Sequence, residues 1–318
     1  MVRPSKMIAS NQRAAAPPSP FKGWVTACIP HFDCQEYIGR AVESLLNQTY
    51  PWVRIIVIND GKERPPWDAL RGFTDRRVLR FNLSQRAGPY FALEVARRAS
   101  PDPFFLIQDA DDWSDAARVE ILLNALDTHK ADFAVSAQPQ FMQDACGKLT
   151  QTGVRWSTSN DGEWGEIYAI NRNISENFLY RAPHHGLFRS DILRRIGGYY
   201  GGHMITWDTI VTNLIIMLGS VAWTPLPLYN RLIRPASLSH AENTGIDSEY
   251  QKKVHGGLTR LYDRIYADFR RFKRGRMPLS RLEERIRSLS GGCVPAAHRA
   301  ALSEEAARLR NHVKEMHL

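Results

Sequence analysis

The sequence is poor in cysteine and has no long apolar run. Four cysteines in 318 residues are too few for a disulfide framework, so we expect a reducing compartment, the cytoplasm. No segment reaches the roughly 18 consecutive apolar residues of a membrane span, and the most apolar stretch, residues 214–223, contains Gly219 and Ser220. No apolar run follows Arg3 and Lys6, so we expect no cleaved signal peptide. We therefore expect neither a disulfide scaffold nor a membrane-spanning protein.

The composition is that of a globular protein. Hydrophobic residues make up 43%, charged residues 24% and aromatic residues 10% of the sequence, which does not fit disordered or collagen-like chains. A chain of this length buries about 75% of the surface that it exposes when unfolded, so its core needs no metal or disulfide for stability.

The net charge of +9 is unevenly distributed. Residues 1–20 carry +3, residues 21–250 carry −3 and residues 251–318 carry +9. Any anionic partner is therefore expected to meet the ends of the chain and not its centre. Such a partner is a membrane surface, a phosphorylated acceptor or nucleic acid. Alternatively, the basic segment is a solvated helical face that binds nothing.

Apolar periodicity predicts alternating strands and helices after an irregular, flexible leader of residues 1–20. Asp33 and Glu36 are spaced like a capping box before the first helix. Strands that alternate with helices of about ten residues predict βαβ units and a parallel sheet covered on both faces. The predicted strands lie at residues 24–29, 53–58, 78–81, 104–107 and 133–135, and the predicted helices at 38–46, 89–99 and 116–126.

Polar residues follow three of these strands, at positions 31–33, 59–60 and 109–112. Ligands of parallel α/β sheets bind beyond the carboxyl ends of the strands. We therefore expect these three segments to form a binding site.

The second half of the chain is less regular. Residues 140–180 show no clean periodicity, whereas residues 207–218 predict a helix and residues 221–228 a strand and turn. An amphipathic helix with a basic polar face is predicted at residues 250–273. Two more helical segments follow, one after Pro278 and one from Ser303.

The acidic segment Asp109-Ala110-Asp111-Asp112 is the strongest chemical signal. Three carboxylates within four positions repel each other and raise one another's pKa unless a cation lies among them. Carboxylates at a strand end suit Mg²⁺ or Mn²⁺, which bind through one or two carboxylates together with substrate phosphates. The alternative is an acidic turn before a helix that Ser114 caps.

Several segments occur in a diagnostic order. They are Cys28-Ile29-Pro30-His31-Phe32-Asp33, Asn47-Gln48-Thr49-Tyr50-Pro51, Ile56-Val57-Ile58-Asn59-Asp60-Gly61, Gly88 and the acidic segment. Over about residues 23–240 the chain resembles the family 2 glycosyltransferases, inverting enzymes of the nucleotide-diphospho-sugar transferase (GT-A) fold. The resemblance implies an α/β fold with a Rossmann-like, mainly parallel sheet flanked by helices, followed by a helical C-terminal extension. It divides the chain into residues 1–20, a GT-A domain at 21–240 and a basic extension at 241–318. Within the domain, residues 21–139 form the nucleotide-binding half and 140–240 the acceptor half.

The resemblance also implies roles for single residues. Asp60 matches the acid that binds the base, usually uracil, and Asp109 faces the ribose or first phosphate. Asp111 is the implied ligand of Mn²⁺ or Mg²⁺. Two positions depart from the family pattern, since Asp33 stands where Asn is usual and Asn59 replaces an acid. The implied nucleotide-sugar contacts are Pro30, Phe32, Asp33, Asp60, Gly88 and Asp109.

The resemblance places the catalytic base at Asp208. Gly197-Gly198-Tyr199 matches the opening of the family's second pattern, and Gly219 follows Asp208 by the family spacing. Trp207 stands where the family has Glu and is a candidate acceptor-side residue. The alternative is that Asp208 only caps the helix that starts near Thr209.

Three histidines are further candidates. His240 lies in a segment that resembles a loop closing over the diphosphate, so it is a candidate metal ligand or phosphate contact. His184 and His185 precede a predicted strand and are candidate acceptor-side residues, or else core or surface histidines. Cys28, His31 and Cys34 have a zinc-like spacing, but a fourth ligand is missing and nucleotide binding already explains the loop.

The sequence therefore predicts an inverting glycosyltransferase that uses a nucleotide-sugar donor, with a UDP-sugar favoured. Its acceptor is a glycan, a lipid-linked intermediate, a small molecule or a peptide. The basic C-terminal helices are a candidate peripheral contact with an anionic membrane. The alternatives are an inactive nucleotide-sugar-binding or docking module, and a nucleic-acid-binding protein, which the lack of aromatic platforms in the basic tail disfavours.

Overall fold

The computed structural model describes residues 23–61, 63–155, 184–235, 237–238, 241, 243–245 and 248–316. The leader, residues 156–183 and His240 lie outside the described residues. The strands are β1 (Val25–His31), β2 (Val53–Asn59), β3 (Val78–Asn82), β4 (Phe104–Ile107), β5 (Trp113–Ser114), β6 (Phe133–Gln143), β7 (Leu149–Arg155), β8 (Leu187–Arg189), β9 (Val221–Pro227) and β10 (Tyr229–Leu232). The helices are α1 (Ile38–Leu46), α2 (Pro89–Ala99), α3 (Arg118–Thr128), α4 (Ser190–Arg195), α5 (Trp207–Leu218), α6 (Glu249–Lys273), α7 (Leu279–Gly292) and α8 (Ala296–Glu315).

Strands β3, β2, β1 and β4 are parallel and lie side by side in that order. All seven residues of β2 are buried, as in strands that are covered on both faces. Ile29 and Val57 join an apolar cluster with α1 and α3, whereas Cys28 and Ile56 join a second cluster with α2 and α5. The predicted parallel sheet covered on both faces is confirmed.

The ends of these strands meet at one edge of the sheet. His31 at the end of β1 is in register with Asn59 at the end of β2. The Gln108 N–H, just beyond β4, donates to the carbonyl oxygen of Cys28. The segments that follow β1, β2 and β4 therefore leave the sheet side by side, as parallel strands require.

The other half of the sheet is mixed. Strand β8 is antiparallel to both β4 and β6, and β6 also pairs with β7, β9 and β10. Periodicity predicts only residues 133–135 of β6, because the polar residues Ser136 and Gln138 interrupt its apolar run. The last part of β6 and all of β7 are half-buried or exposed and carry a weak apolar pattern. The short strands β5 and β10 were not predicted.

Three helices follow the sheet. Helix α6 buries Val254, Leu258 and Ile265, which confirms the amphipathic helix predicted at residues 250–273. Helix α7 starts after Pro278, as predicted, but α8 starts at Ala296, earlier than the predicted Ser303. Helix α8 packs along α2, and all three helices contribute to the same apolar cluster as α2 and α5. Among the residues that the structure describes, we find no helix with the length and the hydropathy of a membrane span.

Two residues that the sequence suggests as helix caps do not cap a helix. The predicted capping box of Asp33 and Glu36 is wrong, because the N-cap of α1 is Tyr37. Asp33 has a φ of 52° and its carboxylate pairs with Arg64 at 2.7 Å. Ser114 lies in strand β5, and α3 begins only at residue 118, so Ser114 is not the cap of that helix.

Candidate active site

The acidic motif lies directly beyond β4, at the edge where the strand ends meet. The Asp109 side chain is 39% exposed and accepts a 2.7 Å hydrogen bond from Nε2 of His185. Asp111 forms an ion pair of 2.6 Å with Arg234. Asp112 is 3% exposed and accepts a backbone N–H from the end of β10. The three neighbouring carboxylates therefore have three different environments.

Arginines of the chain compensate part of this negative charge. Arg234 neutralises Asp111, and Arg231 Nε lies 4.0 Å from Oδ2 of Asp112. Burial raises the pKa of Asp112 well above its usual range, and the charges of Asp111 and Asp109 raise it further. Asp112 is therefore the acid of the motif that most readily binds a proton.

His184 and His185 lie beside the acidic motif because Gly186 brings β8 close to its neighbours. A Cβ at Gly186 would lie 2.3 Å from the carbonyl oxygen of Ala134, and the Gly186 carbonyl accepts the Ile107 N–H of β4. The centroids of the two imidazole rings are 3.8 Å apart. The backbone thus fixes both histidines at the end of β4.

A neutral His185 imidazole pairs with the ionised carboxylate of Asp109. Burial, together with His184, lowers the pKa of His185 to about 3, so its ring is neutral at neutral pH. Burial raises the pKa of Asp109, but the contact with His185 outweighs this effect and holds it below its usual value. Because an ionised carboxylate only accepts hydrogen bonds, the proton of His185 lies on Nε2.

Asp208 lies in the first turn of α5 and faces the same histidines. Its Oδ1 accepts a 2.7 Å hydrogen bond from the Tyr90 hydroxyl, and its Oδ2 lies 3.1 Å from Nδ1 of His184. Burial raises the pKa of Asp208, but His184 and then Tyr90 outweigh it, so this pKa lies below its usual value. The N-cap of α5 is Thr206. Asp208 is therefore not the helix cap but an ionised carboxylate that faces the site.

The glycine-glycine-tyrosine turn before α5 is built around Glu94. This carboxylate is 1% exposed, accepts the Tyr199 N–H at 2.7 Å and pairs with Arg97 and Arg98. A Cβ at Gly198 would lie 2.6 Å from both carboxylate oxygens, and the φ of +106° also requires glycine. Glu94 therefore fixes the segment that leads into α5.

The end of β1 and the segment after it carry the predicted nucleotide contacts, Pro30 in the strand and Phe32 and Asp33 beyond it. Pro30 is half-buried, and Asp33 is exposed and paired with Arg64. The Phe32 side chain is 44% exposed, and the Arg86 guanidinium carbon lies 3.6 Å from its ring centroid. The ring therefore offers an exposed stacking surface backed by a cation.

Asp60, just after β2, is hydrogen-bonded to the turn that contains Gly88. The Asp60 carboxylate is 4% exposed and accepts the N–H groups of Ala87 and Gly88 at 2.7 and 2.9 Å. Burial raises the pKa of Asp60, although these hydrogen bonds oppose the shift. Gly88 has a φ of +93°, and a Cβ there would lie 2.9 Å from Met204. Asp60 thus orders the turn that starts α2.

His31 supports the end of β1 and not a metal. Its Nδ1 donates to Oδ1 of Asn59 at 2.9 Å, because its Nε2 accepts the Cys34 N–H at 3.2 Å. Burial lowers the pKa of His31, which suits a neutral amide partner at position 59. Cys28 is fully buried inside β1. Both ring nitrogens are thus occupied, which favours the nucleotide-loop interpretation over zinc.

A divalent cation fits the acidic motif. Asp109, Asp112 and His185 each offer a ligand atom within 4.8 Å of the others, and two carboxylates suit Mg²⁺ or Mn²⁺. The predicted ligand Asp111 adjoins this group, with its carboxylate held by Arg234. The predicted ligand His240 lies outside the described residues.

Trp207 lies inside the protein. Its side chain is 1% exposed, and a Cβ at Gly201 would lie 2.0 Å from its ring. Its ring stacks on His203 at 6.0 Å between centroids. Trp207 is therefore a core residue next to the Gly201 segment, and its acceptor-side role stays a prediction.

Sequence reasoning missed several residues that shape this site. Tyr90 lies two residues after Gly88, in the first turn of a predicted helix at the correct edge of the sheet, and that position was an available signal. Glu94, Arg118 and Tyr229 resemble ordinary helix and strand residues, and each also contacts a residue that is distant in sequence. Only the fold brings them to the site.

Residues 26–197, slightly more than half of the chain, match the family model of Glycosyl transferase family 2. The chain belongs to this family of enzymes. The match includes the acidic motif and the histidine pair, and it ends before Asp208.

Two curated relatives are similar over part of their length. Glycosyltransferase GlyA of Streptococcus pneumoniae is 26% identical over 113 residues, which are 35% of this chain and 16% of that protein. WfaP of Escherichia coli, a UDP-Glc:alpha-D-GlcNAc-diphosphoundecaprenol beta-1,3-glucosyltransferase, is 25% identical over 112 residues, 35% of this chain and 45% of that protein. The chain thus spans less than half the length of these relatives.

Solved structures of S. aureus TarS 1–349 share the fold. The complex with UDP-GlcNAc has a TM-score of 0.52 at 15% identity, over 67% of this chain and 60% of TarS 1–349. The complex with UDP has a TM-score of 0.51 at 13% identity, over 92% and 91% of the two chains. The predicted GT-A fold, with its mainly parallel sheet, flanking helices and C-terminal helices, is confirmed.

Proposed function

We propose that this family 2 glycosyltransferase moves a sugar from a nucleoside-diphosphate donor to an acceptor nucleophile with inversion at the anomeric carbon. One observation carries the proposal. Asp109 and Asp208 bind to two imidazoles whose rings are 3.8 Å apart, so the donor-side acid and the acceptor-side acid share one site.

The proposed step is a direct displacement. Asp208 accepts the proton of the acceptor O–H while the acceptor oxygen forms a bond to the anomeric carbon. The bond from that carbon to the diphosphate oxygen breaks, and the nucleoside diphosphate leaves. A positioned general base contributes about 10²–10⁴-fold. Tyr90 and His184 orient the carboxylate for this role, and its low pKa keeps it ionised at neutral pH.

The proposed donor is a UDP-sugar. The name of the relative WfaP gives UDP-glucose as its donor, and we extend that donor class to this chain. Phe32 offers a stacking surface for the base, and Asp60 and Gly88 order the neighbouring turn. Together with Asp33 and Pro30, these residues form the proposed nucleotide contacts.

The proposed cation is Mn²⁺ or Mg²⁺, held by Asp111 and Asp109 with Asp112 and His185 close by. When bound, such an ion neutralises charge on the leaving diphosphate, a stabilisation worth several kcal/mol. Asp111 is available for this role once Arg234 releases it. His240 remains a proposed ligand from the sequence alone.

The proposed acceptor is a lipid-linked intermediate, with a glycan, a small molecule and a peptide as the other classes. The name of WfaP gives a diphosphoundecaprenol-linked acceptor, which supports the first class. His184 is the proposed acceptor-side contact, because it is 19% exposed and pairs with Asp208.

The deciding experiment measures UDP release from a UDP-sugar panel with Mn²⁺, with and without acceptors, for wild type and Asp208→Asn. We expect Asp208→Asn to lose at least about 100-fold in turnover while its thermal shift with UDP is unchanged. Asp191→Asn is the matched control, because Asp191 is an exposed acid of α4. Wild-type turnover in Asp208→Asn removes the base role. UDP binding without any turnover in wild type supports the inactive docking module instead.

A peripheral membrane contact is proposed as a second property. Four exposed cations cluster at the end of α6 and have no ion-pair partner among the described residues: Arg270, Lys273, Arg274 and Arg276. Each cation near an anionic bilayer contributes about 1 kcal/mol. We expect sedimentation with phosphatidylglycerol vesicles that salt reverses and that Lys273→Glu with Arg274→Glu abolishes. Equal sedimentation of that double variant, or of wild type with neutral vesicles, contradicts the contact.

A further inference from the structure

Four side chains form a continuous stack through the site, here called the ring stack: Arg118, Tyr229, His185 and His184. The Arg118 guanidinium carbon lies 4.4 Å from the centroid of the Tyr229 ring. The Tyr229 ring stacks on His185 at 4.6 Å with 16° between planes, and His185 contacts His184 at 3.8 Å. The stack therefore runs from the buried base of α3 to the open site.

The buried end of the stack is held rigidly. Arg118 is fully buried and donates to Oε1 of Gln108, to the Ser114 hydroxyl and to the Ile107 carbonyl at 2.9–3.0 Å. Burial lowers its pKa to about 10, so the guanidinium stays charged at neutral pH. The planar cation is thus fixed in orientation directly behind the acidic motif.

Tyr229 connects this anchor to the acidic motif in two ways. Its hydroxyl accepts the backbone N–H of Asp109 at 3.0 Å, and its ring supports His185, which donates to the Asp109 side chain. Tyr229 is fully buried, so its ring has little freedom to shift. Through His184 the same stack reaches Asp208.

We propose that Arg118 and Tyr229 are positioning residues, which set the spacing between Asp109 and Asp208 by fixing the two imidazole rings of the stack. This inference rests on the proposed function, because the carboxylates it aligns are those assigned to the donor and to the base. A misplacement of about 1 Å in such a site costs about 10²-fold in rate. Donor affinity depends mainly on the nucleotide contacts and is expected to change little.

The test compares Tyr229→Leu, which removes the stacked ring, with Tyr229→Phe, which keeps the ring and removes the hydroxyl. We expect kcat to fall about 100-fold in Tyr229→Leu, with the donor KM within about threefold. Tyr229→Phe is expected to retain most of the activity. Tyr262→Leu is the matched control, because Tyr262 is a buried tyrosine of α6; its Tm falls, but its kcat is expected to stay near wild type.

A second readout is independent of turnover. The imidazole ¹⁵N shifts of His185 report whether its proton lies on Nε2, and we expect a single tautomer in wild type and Tyr229→Phe but a mixture in Tyr229→Leu. If Tyr229→Leu does not fold, Arg118→Lys keeps the charge and loses the planar face, and we expect its kcat to fall about tenfold. If Tyr229→Leu folds, or Arg118→Lys in its place, a wild-type kcat together with a single His185 tautomer in that variant overturns the proposal.

The outcome for Asp208→Asn separates the two hypotheses. If Asp208→Asn is inactive and the Tyr229→Leu enzyme is normal, the ring stack fails as a positioning device while the proposed function stands. If Asp208→Asn turns over at the wild-type rate, the proposed base fails whatever the stack does. An equal loss of kcat in Tyr229→Phe and Tyr229→Leu assigns the effect to the hydroxyl and contradicts the positioning role of the ring stack.

Discussion

Tyr90 and Asp208 are 118 positions apart in sequence, and the Tyr90 hydroxyl donates a 2.7 Å hydrogen bond to Oδ1 of Asp208. The contact joins the first turn of α2 to the first turn of α5. Because α2 begins at the turn that Asp60 orders, the contact also links the proposed nucleotide contacts to the proposed base.

Tyr90→Phe tests this contact. The Tyr90 hydroxyl lowers the pKa of Asp208, so its removal raises that pKa, and the acidic limb of the kcat profile moves to higher pH. We expect kcat to fall about tenfold, equivalent to about 1.4 kcal/mol, because the carboxylate loses one of its two orienting partners. Turnover measured across the acidic and neutral range checks both effects.

The matched control for Tyr90→Phe is Tyr50→Phe. The Tyr50 hydroxyl donates to the Gly23 carbonyl at the opposite edge of the sheet, so its loss leaves the pH profile unchanged. An unshifted profile in Tyr90→Phe contradicts the assignment of Asp208 as the titrating base. Identical profiles in the two variants lead to the same conclusion.

Glu94→Gln tests the buried carboxylate behind the glycine-glycine-tyrosine turn. Burial raises the pKa of Glu94, but Arg97 and then Arg98 outweigh it, so the folded-state pKa lies below the ordinary 4.5. Its stabilising contribution is present above the unfolded-state pKa and is lost as the pH falls through the folded-state pKa. We expect Glu94→Gln to lower the free energy of unfolding by about 3 kcal/mol at pH 7, with a shallower loss on acidification than wild type.

Urea unfolding at neutral and acidic pH measures this change. Glu284→Gln is the control, because Glu284 pairs with Arg281 on the exposed surface of α7, where such a pair contributes about 0–1 kcal/mol. Equal stability losses in the two variants would show that the buried cluster is worth no more than a surface pair.

Gly198→Ala tests the same turn from the other side. The new methyl group would lie 2.6 Å from the Glu94 oxygens at a φ of +106°, so we expect a loss of about 1–3 kcal/mol. Gly257→Ala is the matched control, because a Cβ in that helical position meets no described atom within 4 Å. We expect Gly257→Ala to stabilise the protein by about 0.5–1 kcal/mol. Thermal unfolding of both variants measures these stability changes. A Gly198→Ala variant as stable as wild type contradicts the steric argument.

Arg234→Gln tests the ion pair that holds Asp111. Freed from the guanidinium at 2.6 Å, Asp111 is expected to bind Mn²⁺ about tenfold more tightly, measured by calorimetry without nucleotide. Asp111→Asn is expected to weaken binding instead. Arg64→Gln is the control, because it removes an exposed ion pair in the neighbouring segment. We expect its Mn²⁺ affinity to equal that of wild type. Unaltered Mn²⁺ affinity in Arg234→Gln means that the cation does not use Asp111.

Much of the fold was predictable from local pattern. The bounds of β4 and α5 agree with the sequence prediction to the residue, because a fully buried strand and a helix buried on almost every side carry dense apolar signals. Strand β7 was missed because its residues are half-buried or exposed, and β10 because it has only four residues, of which the middle two are polar. The capping box at Asp33 was wrong because the left-handed backbone there turns the side chain toward Arg64.

The sequence by itself determined the family, the parallel direction of the first strands and the acids that follow them, since these depend on short segments whose chemistry is local. Only the tertiary structure decided how those acids are paired. Arg234 at Asp111, His185 at Asp109 and the Tyr229 ring beneath it are contacts between residues more than 40 positions apart. They form because the parallel strands end at one edge and the antiparallel β8 is inserted between β4 and β6, which no local pattern encodes.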